Sequence, residues 1–590
     1  MHAFRLWSPC ARTVDLHLPG LRPEPLPMAP GPRGWWSLTV AEAGHGTDYA
    51  YALDGGPARP DPRSRWQPQG VHAPSRVFDP GRHRWADGDW PGRDVLGQVF
   101  YELHVGTFTD AGTLDAAATR LDHLVDLGVD VVELMPMGAF PGRWGWGYDG
   151  VAPYAVHHPY GGPAALQRFV DACHARGLAV CLDVVYNHLG PSGNYLGEFG
   201  PYFTTTHTTP WGSAVNLDGP GSDVVRAWVI ENALSWFEDF HVDCLRLDAV
   251  HSLLDDSPRH LLADLSDAVA GLAERLGRPL GLIAESDLND PATVEPTAEG
   301  GLGMHAQWSD DLHHALHAWV TGEKQGYYTD FGDEVTVART LTRVFRHAGD
   351  WSAFRGADWG HPIDPAVHRG HQFLGYLQNH DQVGNRAVGD RITADTPPSR
   401  VAAAAALVLT GPFTPMLFMG EEWAASTPWQ YFTDLEPGLG AAVREGRRAE
   451  FAEHGWAAED VPDPQAPSTR AASVLAWAER HRGVHARMAR WYRDLIALRR
   501  AEPDLRADDL IQISVTVGAN WLVMHRGAFD VLVNLAPVVT DLPTFAAFDP
   551  VLSWLGPDPA TGARGEAVAL PGALRLPPDS VAIVRGRGPR

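Results

Sequence analysis

Val242-Asp243-Cys244-Leu245-Arg246-Leu247-Asp248 is an apolar run that ends on a carboxylate. Side chains alternate along an extended strand, so Leu245 and Leu247 share one face and Arg246 and Asp248 share the other. Leucines turned toward covering helices, with an ion pair on the opposite face, read as a barrel strand whose chemistry sits at its carboxyl end. Three more expected strands end in the same way. Asp183-Val184-Val185-Tyr186-Asn187-His188 ends the strand over 178–185, Ile283-Ala284-Glu285-Ser286 the strand over 280–285, and Gln378-Asn379-His380-Asp381 the strand over 372–378. A single such carboxylate is more often a helix cap or a surface group; four in one register point to a site.

Working outward, strands are expected at 99–105, 129–135, 304–309 and 415–419, with helices over 114–127, 163–176, 222–240 and 258–276. Eight strands alternating with helices predict a (β/α)8 TIM barrel with loop insertions over residues 97–504. A doubly wound sheet is the structural alternative, but no G-x-G-x-x-G follows the first strand. Residues 1–96 carry runs of period two, among them Phe4-Arg5-Leu6-Trp7 and Val14-Asp15-Leu16-His17-Leu18, and predict an N-terminal β-sandwich. An amphipathic helix is expected over 485–500. Short strands at 511–517, 521–525 and 531–534 then predict a C-terminal β-sandwich over 505–590.

Composition removes several function classes. The net charge of −25 opposes a polyanionic partner, so no nucleic acid is expected. Lys324 is the only lysine and lies outside any Walker loop, which argues against Schiff-base and P-loop chemistry. Cys10, Cys173, Cys181 and Cys244 include no C-x-x-C pair. The N-terminus shows no apolar signal-peptide core, and the longest apolar run, 401–409, is too short for a bilayer. A cytoplasmic protein without membrane contact is expected.

Arg246 should keep Asp248 ionised, as a nucleophile must be. Glu285 follows Leu282, Ile283 and Ala284; a poorly solvated glutamate has a raised pKa and can act as an acid. Two carboxylates in opposed environments are what retaining glycoside hydrolysis requires. Asp381, beside His380, is a third candidate for sugar hydroxyls. Metal binding competes for these residue types, through Asp183, Asn187 and His188 or through His313, His314 and His317 near Asp310 and Asp311. No H-E-x-x-H signature exists, so neither metal nor cofactor is expected. In Arg143-Trp144-Gly145-Trp146-Gly147-Tyr148-Asp149 the glycines leave little core for the rings, which predicts a sugar-stacking platform; Trp211 is a further candidate.

These residues resemble the α-amylase family of glycoside hydrolases. The resemblance implies that Asp248 is the nucleophile, Glu285 the general acid/base, and Asp381 the group that stabilises the transition state. It places His188, Arg246 and His380 around the reacting sugar, stacks Tyr148 on it, and makes Asp149, Asp183, Asn187, Gln382 and Asn385 further substrate-binding candidates. The N-terminal sandwich looks like the immunoglobulin-like, glucan-binding type found in branching and debranching members. A narrower similarity covers nearly the whole chain. Tyr101-Glu102-Leu103-His104-Val105-Gly106-Thr107-Phe108 is similar to both branching enzymes and maltooligosyltrehalose trehalohydrolases. Gly190-Pro191-Ser192-Gly193-Asn194-Tyr195, Ala284-Glu285-Ser286-Asp287-Leu288-Asn289-Asp290 and Met419-Gly420-Glu421-Glu422-Trp423 look like the latter.

That similarity implies hydrolysis of the α-1,4 bond joining a maltooligosaccharide to a terminal trehalose, with maltooligosyltrehalose synthase supplying the substrate and the hydrolase acting as a monomer. A glycogen branching enzyme, which transfers the glucan instead, is the alternative. A non-catalytic glucan-binding barrel is disfavoured because Asp248 and Glu285 are both present. His251 stands where many amylases have a Lys-His pair, which puts the usual lysine contact on the leaving-group side in doubt. On that side the sixth strand should end in Ser309-Asp310-Asp311-Leu312-His313-His314, rich in groups for sugar hydroxyls; alternatively these residues cap the following helix.

Overall fold

In the computed structural model, which describes residues 1–453, 457, 460–557 and 565–588, eight parallel strands close into a barrel. They are β1 (Phe100–Leu103), β2 (Val131–Leu134), β3 (Ala179–Val184), β4 (Cys244–Leu247), β5 (Gly281–Ala284), β6 (Ala306–Trp308), β7 (Phe373–Tyr376) and β8 (Thr414–Phe418). Each pairs with the next, and β8 pairs with β1. Helices α1 (Gly162–His174), α2 (Ser222–Phe240), α3 (Leu261–Leu276), α4 (Asp310–Thr321), α5 (Pro398–Thr410) and α6 (Gly483–Ala501) accompany them.

The alternation expected for β4 holds along its whole length. Leu245 and Leu247 belong to the large core that also takes in helix residues such as Phe237 and Leu265. Cys244 instead joins Phe100, Val131, Ile283, Leu374 and Met416 in a separate apolar layer drawn from the barrel strands. Two residues further along the first four strands the same face turns polar: Phe100 is followed by Glu102, Val131 by Glu133, Cys181 by Asp183, and Cys244 by Arg246. The register sets Glu102 opposite Glu133 and Asp183 opposite Arg246. An apolar plug thus carries a layer of ionisable groups at the carboxyl end.

One expected helix is divided. Over 114–127 the chain forms Leu114–Ala118 and then Leu121–Leu127, because Thr119 turns its hydroxyl back to donate to the Ala116 carbonyl at 2.7 Å. A hydroxyl satisfied that way competes with helix continuation. Two hairpins extend the barrel loops: Phe203–Thr209 with Gly212–Val215 after β3, and Asp350–Ser352 with Ala357–Trp359 after β6.

Before the barrel, a three-stranded sheet (His2–Trp7, Trp35–Val40, Ala29–Pro30) faces a four-stranded one (Arg22–Pro27, Val14–Leu18, Asp48–Leu53, Ser75–Arg76). After it, a five-stranded sheet and a three-stranded sheet enclose Val523, Leu532, Leu542, Leu574 and Val584. The strand expected from residue 511 begins at Ile513, since Asp509 accepts from the Ile511 N–H and holds Leu510–Gln512 in a 3-10 turn. Among the described residues no helix is long and apolar enough to cross a membrane.

Candidate active site

Arg246 organises the polar layer. It is fully buried, and its Nη1 donates to Asp183 Oδ2 and to Asp248 Oδ1, each at 2.8 Å. Its Nη2 lies 3.3 Å from Glu285 Oε2, and the guanidinium sits 4.2 Å over the Trp308 ring. A buried cation is tolerable only with such compensation. Asp248 accepts a second bond at Oδ2 from Asn187 Nδ2 at 2.8 Å, so both of its oxygens are engaged as acceptors.

Glu285 is different. Burial, against the pull of Arg246, raises its pKa to about 8, and the neighbouring charges of Asp248 and Asp381 push the same way. The Ala249 N–H donates to Glu285 Oε2 at 2.5 Å. Ala249 has φ 38°, a left-handed backbone that costs energy for any residue with a side chain; the turn aims the amide that follows Asp248 at Glu285. With Oε2 occupied, Oε1 is left to carry the proton.

Asp183 is raised to about 6 by burial despite Arg246, and accepts from the Tyr148 hydroxyl at 2.6 Å. Tyr148 stacks on the His380 ring with centroids 5.1 Å apart. Burial works against charge on His380, but Asp381 and Glu102 outweigh it and bring the imidazole to about 9. His380 is therefore cationic at neutral pH, with Nδ1 2.5 Å from Glu102 Oε1 and Nε2 3.4 Å from Asp381 Oδ1. Asp381 remains partly open, with Asn385 Nδ2 donating to its Oδ1 at 3.2 Å. His188, kept neutral by burial, contacts the Tyr148 carbonyl at 3.0 Å. Trp211, 51% exposed at the hairpin tip, stacks on the His188 ring at 4.4 Å. Asp149 lies half-buried beside His188, and burial raises its carboxyl.

Trp146 corrects the expectation of a stacking platform. Its ring is buried, stacked 4.4 Å from Trp429 and edge-on to Tyr431, and its Nε1 donates to the Gln430 carbonyl at 3.0 Å. The room comes from a distant glycine: a Cβ on Gly384 would lie 2.1 Å from Trp146 Cζ2. A ring enclosed in this way offers no face to a sugar; of the expected platform, Tyr148 alone turns into the polar layer.

The end of β6 splits the remaining candidates. Asp310 accepts from Tyr376 Oη at 2.5 Å and from Gln382 Nε2 at 3.4 Å. Burial raises it to about 6, and its charge is felt by Glu285. Asp311 points elsewhere: it accepts from Asn289 Nδ2 at 2.9 Å and from the backbone N–H groups of Arg346 and His347 at 2.6 and 3.2 Å. His313 is buried between the Leu377 carbonyl (2.8 Å) and Tyr328 Oη (3.1 Å), and His317 pairs with Glu323 at 2.9 Å. His314, pushed to about 3 by burial, stacks on Tyr327 at 4.7 Å. Neither aspartate caps α4, whose N-cap residue Ser309 makes no side-chain cap bond. His251 is half-buried, 3.7 Å from Asp287, which also pairs with Arg355 at 3.0 Å.

Glu102, Trp308 and Tyr376 complete the layer and were not singled out in the sequence. Their signal is the inner-face alternation of β1, β6 and β7. Among the described residues the one His/Asp cluster with metal-ligand spacing, His207 with Asp218 and Asp256, lies outside this constellation.

The chain's residues 82–202 match the pattern of the α-amylase catalytic domain. Malto-oligosyltrehalose trehalohydrolase of Arthrobacter ramosus is 52% identical over 99% of this chain and 99% of its own length. The Mycobacterium tuberculosis (strain ATCC 25618 / H37Rv) protein of the same name is 50% identical over 94% and 96%. The 1,4-alpha-glucan branching enzyme of Corynebacterium jeikeium (strain K411) is only 26% identical, over 82% of this chain and 71% of its own. Among solved structures, a Salmonella typhimurium protein described as an alpha amylase superposes with a TM-score of 0.89 at 36% identity, covering 99% and 97% of the two chains.

Proposed function

The chain belongs to the malto-oligosyltrehalose trehalohydrolase family of α-amylase-type glycoside hydrolases, and from that premise we propose that it hydrolyses the α-1,4 bond beside the terminal trehalose of maltooligosyltrehalose. The products are trehalose and a shortened maltooligosaccharide. The distance in sequence from the branching enzyme disfavours glucan transfer. The observation that carries the mechanism is one guanidinium held between two carboxyls, Asp248 at 2.8 Å and Glu285 at 3.3 Å, of which Glu285 holds its proton to about pH 8.

In this reading Asp248 attacks the anomeric carbon while Glu285 Oε1 protonates the departing trehalose oxygen. Ester formation removes the Asp248 charge. That charge is one of the causes raising Glu285, so the glutamate becomes more acidic as it must turn into a base. It then takes a proton from water, which cleaves the ester with retention. Cationic His380 and Asp381 hold the hydroxyls of the reacting sugar, while Tyr148 and Trp211 offer ring faces. The trehalose side is bounded by Asp310, by Asp287 with Arg355, and by Phe354, whose ring is 52% exposed. Asp311 serves by holding the 346–347 backbone beside that wall.

We further infer three domains divided near residues 96 and 504, a monomer acting in the cytoplasm, and substrate supplied by a maltooligosyltrehalose synthase. Incubation with maltooligosyltrehalose and, separately, with plain maltooligosaccharide tests the function. Free trehalose from the first, with the second cleaved far more slowly, supports it; equal rates point to a general amylase, and new α-1,6 branches to a transferase.

A further inference from the structure

A cavity of about 520 Å³ lies on the outer wall of the barrel, between the helix Leu121–Leu127 and α6. Arg120, Arg480, Arg490 and Arg493 converge on it. Among the described residues none of the four makes an ion pair with a carboxylate, in a chain with 72 acidic residues and a net charge of −25. Arginines close by do find partners: Arg168 with Asp115, Arg176 with Asp122, and Arg500 with Asp130.

Two of the four are held against their mutual repulsion. Arg120 and Arg480 both lie on the Trp477 ring, 4.7 and 5.2 Å from its centroid, and Arg480 is lowered by burial and then by the charge of Arg120. Arg480 is fixed by donating to the Trp477 carbonyl at 2.8 Å, while Arg120 Nε is buried without a partner. Arg490 and Arg493 are three apart on α6 and so share a face. The acidic groups on the cavity do not cancel this charge. Asp122 is engaged by Arg176, His123 is bonded to buried Glu422 at 2.7 Å, and Asp126 is the single carboxylate left over. Leu127, Ala486 and Ala489 give the cavity an apolar part.

We propose that this cavity binds a phosphate group, either free or carried by a small ester. Forked, permanently charged guanidiniums suit a tetrahedral oxyanion, and the volume has room for an organic body beyond the phosphate itself. A route to the catalytic layer is short. His123 holds Glu422, Glu422 accepts from the Tyr101 hydroxyl at 3.2 Å, and the next residue, Glu102, holds His380.

Calorimetric titration of the full chain with glucose 6-phosphate, with inorganic phosphate, and with glucose at matched ionic strength tests the site. Saturable binding of the ester is expected. Arg490→Glu and Arg493→Glu, both at exposed positions, should each weaken it by about tenfold or more without altering hydrolysis measured in the absence of phosphate. Tighter binding of the ester than of inorganic phosphate assigns the site to a phosphorylated sugar, and equal binding assigns it to free phosphate. Either result supports an oxyanion site. Absence of saturable heat, glucose binding as well as its phosphate, or unchanged affinity in both variants overturns it.

Discussion

The end of β4 and the end of β6 are equally dense in charged and imidazole groups, yet they are built on opposite plans. At β4 the side chains of Arg246 and Asp248 face the same way and meet Asp183 and Glu285 around one guanidinium. At β6 the density falls on the first turns of α4, where each residue turns about 100° from the last. Adjacent residues therefore part company. Asp310 faces Tyr376 and Gln382, Asp311 the 346–347 backbone, and His313 the buried Leu377 carbonyl. A cluster in sequence becomes a cluster in space on a strand tip, and it fans out on a helix.

The largest effects are expected at the end of β4. Asp248→Asn and Glu285→Gln should each lower kcat by several orders of magnitude, since an amide neither attacks nor transfers a proton. A folded variant keeping a sizeable fraction of wild-type kcat would remove its residue from the mechanism.

At the second region the two aspartates should separate. Asp310→Asn should depress kcat/KM on maltooligosyltrehalose more than on maltooligosaccharide, by about tenfold, with little change in Tm. Asp311→Asn should do the reverse, costing about 1–3 kcal/mol through the loosened Arg346 and His347 amides, read as denaturant midpoint. Equal effects of the two substitutions on both readouts would erase the proposed division.

Two aromatic residues make the same contrast. Trp146→Ala should cost about 3–5 kcal/mol of stability by opening the cavity beside Trp429. Trp211→Ala should leave Tm unchanged and raise KM by no more than about tenfold, the worth of one stacking face. Thermal melts alongside initial rates distinguish them.

The smallest effect concerns pH. Glu285 binds its proton more tightly in the folded chain, to about pH 8, than in the unfolded one. Between the unfolded pKa and 8 the native state thus holds more protons, and the contribution of Glu285 to stability falls as pH rises. Glu285→Gln should therefore melt above wild type, by a margin that grows from pH 5 to pH 8. In wild type kcat/KM should decline above about pH 8 as the acid loses its proton. A constant melting difference across that range would mean that Glu285 is ionised throughout.

Much of the barrel and its core chemistry was legible in the chain itself. The alternation in 242–248, the carboxylates at the ends of β3, β4 and β5 (Asp183, Asp248 and Glu285) and the pairing of Arg246 with Asp248 all follow from period two and nearest-neighbour charge, which are local properties; Asp381, expected at a strand end, lies instead in the first turn of the short helix His380–Gly384 after β7. What was not legible depended on residues distant in sequence. Trp146 read as a sugar platform because its neighbours are glycines, whereas its burial is decided by Gly384 and Trp429, more than 200 positions away. Glu102 carries no local sign of its role, because that role comes from His380, 278 residues on. The break at Thr119 and the left-handed Ala249 are outcomes of local competition that no periodicity reports. Local alternation is enough to say that β3, β4 and β5 end in ionisable groups and which face of β4 they occupy. It says nothing of which of those groups meet, how far burial moves their protons, or which of two adjacent aspartates faces Tyr376 and Gln382. Those depend on desolvation and on packing between elements, and neither quantity exists until the barrel has closed.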